Sequence, residues 1–374
     1  MPDHEVIVVG AGPVGLLLTC LLAQEGVDVL LCERHEGADT RSRAIGIHPP
    51  GLDALDRVGV GAAVRAEALS LEGGDVLCRG RILASLAFSP DRPVLVLPQQ
   101  RTDALLRARL TELSAAAIRL GGAARAIRDE GDFVRLSVDA LHRRHELTAS
   151  FVVVADGVRS GLRQDLGIRW RRRPGRGSYA MLDVPDPAAG VRAQLHLEPG
   201  GVVESFPLPR GGRRWVVRES GHASPELRTA DGFRRAIEER IGARVAIDDE
   251  ARPVRFLAAQ HLARMSARGR VALVGDAAHE VSPIGGQGMN LGWIDAERLA
   301  PAILHALAGR PDLREYARRT SRSARSAQGR SAFYMWMGAP VSGLPLVARD
   351  VLIRTLGAAP LRTWATGLIT MRGL

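Results

Sequence analysis

The sequence predicts an α/β chain: a parallel-sheet domain interrupted by a smaller antiparallel-sheet domain, with a helical C-terminus. Three observations predict it. The chain opens with strand, glycine turn, helix and strand in register, "EVIVVGAGPVGLLLTCLLAQEGVDVLLCER". Residues 177–219 change to short alternating segments joined by Gly and Pro, the pattern of an antiparallel sheet. Val271–Val274 then returns to a continuous apolar run, as in a parallel strand buried on both faces.

The opening unit reads residue by residue. Val6–Val9 is the first buried strand, Leu16–Gln24 a helix that Gly26 can end, and Val27–Cys32 the second strand. Gly10, Gly12 and Gly15 form G-x-G-x-x-G between them. Gly10 permits the tight turn, Gly12 lets the backbone approach a pyrophosphate, and Gly15 lets helix and strand pack closely. The helix N-terminus offers free N–H groups and a positive dipole to the phosphates. Glu33 ends the second strand, 18 residues past Gly15, where an acid can accept a ribose hydroxyl. Arg34 is adjacent. This is a Rossmann-like dinucleotide-binding start.

Further along, residues 34–75 read as loop and helix and 76–98 as strand-rich. A helix is expected from Thr102, with Thr102 as its N-cap. Val152–Ala155 is a short buried strand ending in Asp-Gly. Helices are expected around 229–241, over 289–308 and through 320–374, the last with "GAPVSGLPL" between them. The division expected is 1–75, 99–170 and 261–320 for the dinucleotide domain, 76–98 and 171–260 for the β-rich domain, and 321–374 for the C-terminal helices.

Composition excludes several classes. With 374 residues, 46% hydrophobic and 25% charged, the chain is an ordinary globular protein. No apolar run reaches the ~18–20 residues of a membrane span. The N-terminus has no basic leader region, so a cytoplasmic location is expected. Cys20, Cys32 and Cys78 show no metal spacing and read as small buried hydrophobes; no metal is expected. The net charge is +10, and all 51 basic residues are arginine. They are dispersed, and aromatics are only 4%, so no nucleic-acid partner is expected. An arginine excess can instead attract an anionic dinucleotide. The missing lysine excludes Schiff-base chemistry and a Walker phosphate lysine.

Two further motifs complete a set. "DGVRSGLR" runs from Asp156 to Arg163, and "GDAAHEVSPIGGQGMN" from Gly275 to Asn290. Together with the glycine unit and Glu33, the chain resembles the single-component FAD monooxygenases, the aromatic hydroxylases typified by para-hydroxybenzoate hydroxylase. The resemblance covers residues 1 to about 310. It implies tightly bound FAD, with the ribityl chain on Asp276 and the isoalloxazine beside Pro283. Gly285, Gly286 and Gly288, with Met289 and Asn290 at the following helix start, would serve the flavin's anionic edge through backbone N–H groups. "RSRA" supplies Arg41 and Arg43, like the family's pyrophosphate-side arginines, and Gln99 aligns with a glutamine that contacts flavin, though Gln100 is adjacent. Asp156 and Arg163 would support FAD and a transiently bound NAD(P)H. For His279 a structural hydrogen bond is expected rather than acid–base work.

The implied reaction is oxygen insertion. NAD(P)H reduces FAD, O₂ adds at flavin C4a, and the hydroperoxide's distal oxygen attacks an electron-rich carbon of a small molecule, giving hydroxylation or epoxidation. The cofactor carries the chemistry, and the protein supplies position and a dry pocket. The pocket is expected between the two sheets, with Tyr179, His196 and Arg218 as candidate catalytic residues and Gln194 and Glu204 as further polar liners. Small apolar liners suit a polycyclic or lipophilic substrate of specialised metabolism. The thioredoxin-like C-terminal domain of the phenol and polyketide hydroxylases is not expected. The stretch from Phe333 to Trp364 is expected to pack over the pocket, with a dimer or membrane-surface contact as alternatives; monomer and homodimer both stay open. An alkene reductase on the same scaffold and a non-catalytic flavin protein are the competing readings. A flavin halogenase is excluded, because it depends on an active-site lysine.

Overall fold

In the computed structural model, five strands lie parallel in the order Val271–Leu273, Arg143–Val154, His4–Val9, Val29–Cys32, Ile118–Arg119. The structure describes residues 1–37, 44–140, 143–219, 227–309 and 312–374. The apolar run at the N-terminus explains itself through the period of two. Val6 and Val8 pack on one face with Leu16, Leu17 and Trp293, and Ile7 and Val9 on the other with Leu136 and Leu273. Both faces are covered, so no polar alternation is possible. Arg143–Val154 runs on as a long strand and pairs antiparallel with Val134–Ala140.

The first helix spans Pro13–Gln24, three residues earlier than Leu16, with Gly26 at φ +75° just past its end. Proline is favoured at the first helical position, where its missing N–H costs nothing. The helix expected from Thr102 begins at Gln99, directly after Pro98. Thr102 therefore does not cap it; it is fully buried inside the first turns. Pro98 sets the boundary, its carbonyl accepting the Arg101 N–H at 2.9 Å.

Among the described residues the second sheet has seven strands: Val254–Ala258, Gly177–Pro185, Gly212–Arg218, Gly201–Leu208, Arg192–Glu198, Gly73–Cys78 and Arg81–Ala87. All pairings are antiparallel except Arg192–Glu198 with Gly73–Cys78, which is parallel. That pairing joins segments more than a hundred residues apart, so no local turn signal announces it. Within 76–98, Val94–Val96 pairs elsewhere, with Gly46–Ile47 and Leu69–Leu71. One face of the seven-stranded sheet packs on the helix Ala230–Ile241 through Val203, Val217, Phe233 and Ile237. The other, with Leu197, Val202 and Val216, meets Ile284 and Met335 and faces the parallel domain's loops. The C-terminal helices are Arg314–Met337, Leu344–Gly357 and Leu361–Ile369.

Candidate active site

The glycine turn is built by contact distances. Gly10 sits at φ +110°, and a β-carbon there would stand 2.4 Å from the Ala155 carbonyl oxygen. At Gly15 it would lie 1.9 Å from the Gly10 carbonyl oxygen, so helix and strand touch through bare backbone. At Gly12 it would meet nothing within 4 Å among the described residues, because that backbone borders a cavity. Glu33 Oε2 accepts the Ala11 N–H at 2.8 Å and Oε1 the His35 N–H at 2.9 Å. The acid thus braces the turn on which a dinucleotide would rest.

The cavity measures about 2140 Å³. A single small ligand usually takes ~300–1,000 Å³, so there is room for more than one. Its lining divides by element. The parallel domain contributes Gly10, Gly12, Glu33, Arg34, Asp156 and Asp276. The glycine loop contributes Pro283, Gly285, Gly286, Gly288 and Met289, with Gln99 and Gln100 from the facing helix. The seven-stranded sheet adds an apolar wall of Val76, Leu86, Leu195, Val202, Phe206 and Val216. Phe333, Leu352, Leu356 and Trp364 close it from the C-terminal helices. Burial pushes the Asp156 carboxyl up, and among the described residues its Oδ1 has no hydrogen-bond partner.

Three of the residues expected at the FAD site stay off the cavity wall and support it. Gly15 is the packing contact just described. Arg163 is buried, donates to the carbonyls of Ala277 (3.1 Å) and Val158 (3.0 Å), and stacks 3.8 Å over the Trp170 ring. It ties the Asp156 loop to the Asp276 turn. Asn290 is fully buried and spends its amide on the backbone of residues 46, 48 and 286. His279 is buried against Asp295, which also accepts the Thr320 hydroxyl at 2.8 Å. Arg41 and Arg43 lie outside the described residues.

Tyr179, His196 and Arg218 do not line the cavity. His196 pairs with Val203 and shares its face toward Ala230–Ile241, while its neighbours Leu195 and Leu197 line the cavity; Gln194 shares the His196 face. Tyr179 stacks on Phe256, with ring centroids 5.5 Å apart, and Arg218 lies 5.6 Å over the Tyr179 ring and donates to the Met335 carbonyl at 2.5 Å. Strand register decides these placements, and register follows from pairings that the sequence does not display.

Two polar groups emerge that no motif marks. His48 lines the cavity and is buried; burial pushes its pKa down to about 4, partly offset by a hydrogen bond with the Gly285 backbone. Among the described residues its Nδ1 has no partner, and a β-carbon on Gly286 would stand 3.3 Å from its Nε2. Tyr334 also lines the cavity, with its ring 2.8 Å from where a β-carbon on Gly285 would sit. Its signal in the sequence is the stretch from Phe333 that is expected to pack over the pocket.

A family model described as an FAD binding domain matches residues 3–330. The chain belongs to the FAD-dependent aromatic hydroxylase family. An anhydrotetracycline 6-monooxygenase of Streptomyces rimosus is 32% identical over 82% of the chain, and the chain spans 63% of that relative's length. A para-nitrophenol 4-monooxygenase of a Pseudomonas species is 30% identical, covering 80% of this chain and 77% of that protein. The crystal structure of the p-nitrophenol 4-monooxygenase from Pseudomonas putida has a TM-score of 0.86, covering 99% and 98% of the two chains. At 24% identity, that likeness speaks for the fold of this family member.

Proposed function

We propose that the chain is an NAD(P)H-dependent FAD monooxygenase that hydroxylates or epoxidises an electron-rich, polycyclic or lipophilic small molecule. The observation that carries this reading is the divided cavity. A turn and acids suited to a dinucleotide open, past a glycine loop, into an apolar chamber. Bound FAD would supply the redox chemistry: two electrons from NAD(P)H, one oxygen atom of O₂ to the substrate and the other to water.

The residues fit that group. Gly12 presents bare backbone to the cavity, and Asp156 Oδ1 is an unspent acceptor there. Gly10, Gly12 and the helix from Pro13 would hold the pyrophosphate, Glu33 a ribose, and Asp276 the ribityl chain. Pro283 to Met289 would lie along the ring, the N–H groups at the start of Gly288–Leu307 stabilising negative charge. The apolar wall and the C-terminal helices exclude water from the substrate. Phe333, Leu352, Leu356 and Trp364 on the cavity wall support the reading of the segment from Phe333 as packing over the pocket. The nicotinamide dinucleotide would bind transiently.

Turnover with labelled O₂ tests this. The FAD-loaded protein, NAD(P)H and a set of polycyclic phenols should give products carrying one labelled oxygen. Reduction of substrate without O₂ would support the reductase reading instead, and an unreactive flavin the non-catalytic one. Asp276→Ala should purify with less FAD, and Gly286→Val should press on both the ring site and His48.

A further inference from the structure

One carboxyl in the apolar chamber has nothing to do. Glu204 lies mid-strand in Gly201–Leu208, 5% exposed, and lines the cavity between Val202 and Phe206. Its cross-strand partners are Leu195 and Val216, both apolar. Among the described residues no hydrogen bond or ion pair engages it. Burying an unpaired carboxyl is costly, so a chamber wall would be more stable with Leu at this place. Cavity-facing groups kept at such a cost are where function concentrates.

The arginines nearest it in the sheet are otherwise engaged. From Gly212–Arg218, Arg214 is held by both Asp183 oxygens at 2.6 and 2.8 Å, and Arg218 by the Met335 carbonyl. From Gly177–Pro185, Asp183 is that arginine's partner, and Tyr179 is close enough for Glu204 to raise its pKa further. Arg192–Glu198 offers only apolar side chains to the cavity among its described residues, Ala193, Leu195 and Leu197. From Arg314–Met337, Tyr334 and Arg330 line the cavity, the Tyr334 hydroxyl without a partner among the described residues. His48 faces in from beside the glycine loop. Burial alone, with no cation to offset it, pushes the Glu204 carboxyl up to about 7.

We infer that Glu204 accepts the hydrogen bond of an aromatic hydroxyl on the substrate, so that this chamber selects polycyclic phenols over their ethers. The inference rests on the monooxygenase reading for its context. The proton would pass from the phenol oxygen to a Glu204 oxygen, leaving a more electron-rich ring and needing no redox partner. A carboxylate whose affinity for protons is raised lies closer to a phenol than a solvated one does, and general-base efficiency follows that match. Tyr334 would remain free to donate to a carbonyl on the same frame.

Equilibrium dialysis of the FAD-loaded protein tests it with three probes: 2-naphthol, 2-methoxynaphthalene and 2-naphthylmethylamine. At pH 8 the wild type should bind the naphthol about tenfold or more tighter than the ether, the worth of a hydrogen bond to a charged group. That preference should shrink toward pH 6, where Glu204 is protonated. Glu204→Gln should lose the preference and its pH dependence, while keeping FAD and a melting temperature no lower than wild type. Equal binding of naphthol and ether by the wild type, no binding of either, an unchanged preference in Glu204→Gln, or tightest binding of the amine overturns the proposal. Oxygen transfer is not read in this experiment. A wild type without selectivity, or a variant that keeps it, therefore counts against Glu204 alone, and absent turnover against the monooxygenase reading alone.

Discussion

Asn290 Oδ1 accepts the backbone N–H of His48 at 2.8 Å, joining segments 242 positions apart. Its Nδ2 donates to the carbonyls of Gly46 and Gly286, each at 3.0 Å. One side chain thus fastens the glycine loop to the strand end that presents His48. A β-carbon on Gly51 would stand 2.1 Å from the same Oδ1, so the backbone closes tightly around it.

Asn290→Ala should therefore loosen two cavity-lining segments together. The His48 N–H would be left buried and unpaired, at a cost of about 1–3 kcal/mol. Asn290→Asp should do no better, since a carboxylate would face two carbonyl oxygens. Urea denaturation and flavin content on purification measure both effects. Wild-type stability in Asn290→Asp would show that the amide donors carry no weight.

The contrast between Asn290 and Gly15 shows what the sequence makes legible. Gly15 belongs to a local motif whose spacing encodes a close backbone contact, and the 1.9 Å distance realises it. The apolar runs of the parallel strands are equally local, because burial on both faces removes every polar position. Asn290 reads in sequence as a flavin neighbour, yet its side chain serves distant backbone. The faces of Tyr179 and His196 depend on register between strands, and His48 sits in a stretch with no periodic or motif signal. Local chemistry is written in spacing; long-range closure appears only with the fold.

Gly15→Ala puts the local case to measurement. The added methyl has no flexible side chain to displace, only the Gly10 carbonyl. The turn must shift away from the helix N-terminus, costing about 1–3 kcal/mol for overpacking. FAD retention should fall more sharply than stability, because the turn is the phosphate seat. Calorimetry and the protein-to-flavin absorbance ratio read the two separately. Full flavin content in Gly15→Ala would place the phosphates elsewhere.

The buried pair His279–Asp295 should set a pH dependence of stability. Burial pulls the His279 pKa down, but the Asp295 carboxylate, by charge and hydrogen bond, more than offsets it and leaves it raised. A raised folded-state pKa stabilises most below the unfolded value near ~6.5, and that stability is lost as pH rises through the folded value. The melting temperature should accordingly decline from about pH 6.5 upward in the wild type. His279→Gln removes the titrating group and should flatten that decline. An identical slope in the variant would assign it to other groups.

Arg163 offers the sharpest distinction between charge and shape. Its guanidinium reaches the carbonyls of Ala277 and Val158 while lying on Trp170, which in turn stacks on His261 at 5.5 Å. A planar fork can meet two acceptors and an aromatic face at once; an ammonium cannot. Arg163→Lys keeps the charge beside Asp156 but should lose about 1–3 kcal/mol through one unpaired buried carbonyl and the lost stack. The Trp170 emission should change as its face is uncovered. Because Arg163 joins the Asp156 loop to the turn carrying Asp276, FAD affinity should weaken although the residue itself lines no part of the cavity. If Arg163→Lys matched wild type in both stability and flavin affinity, charge alone would suffice there, and the two loops would be held by something other than the fork.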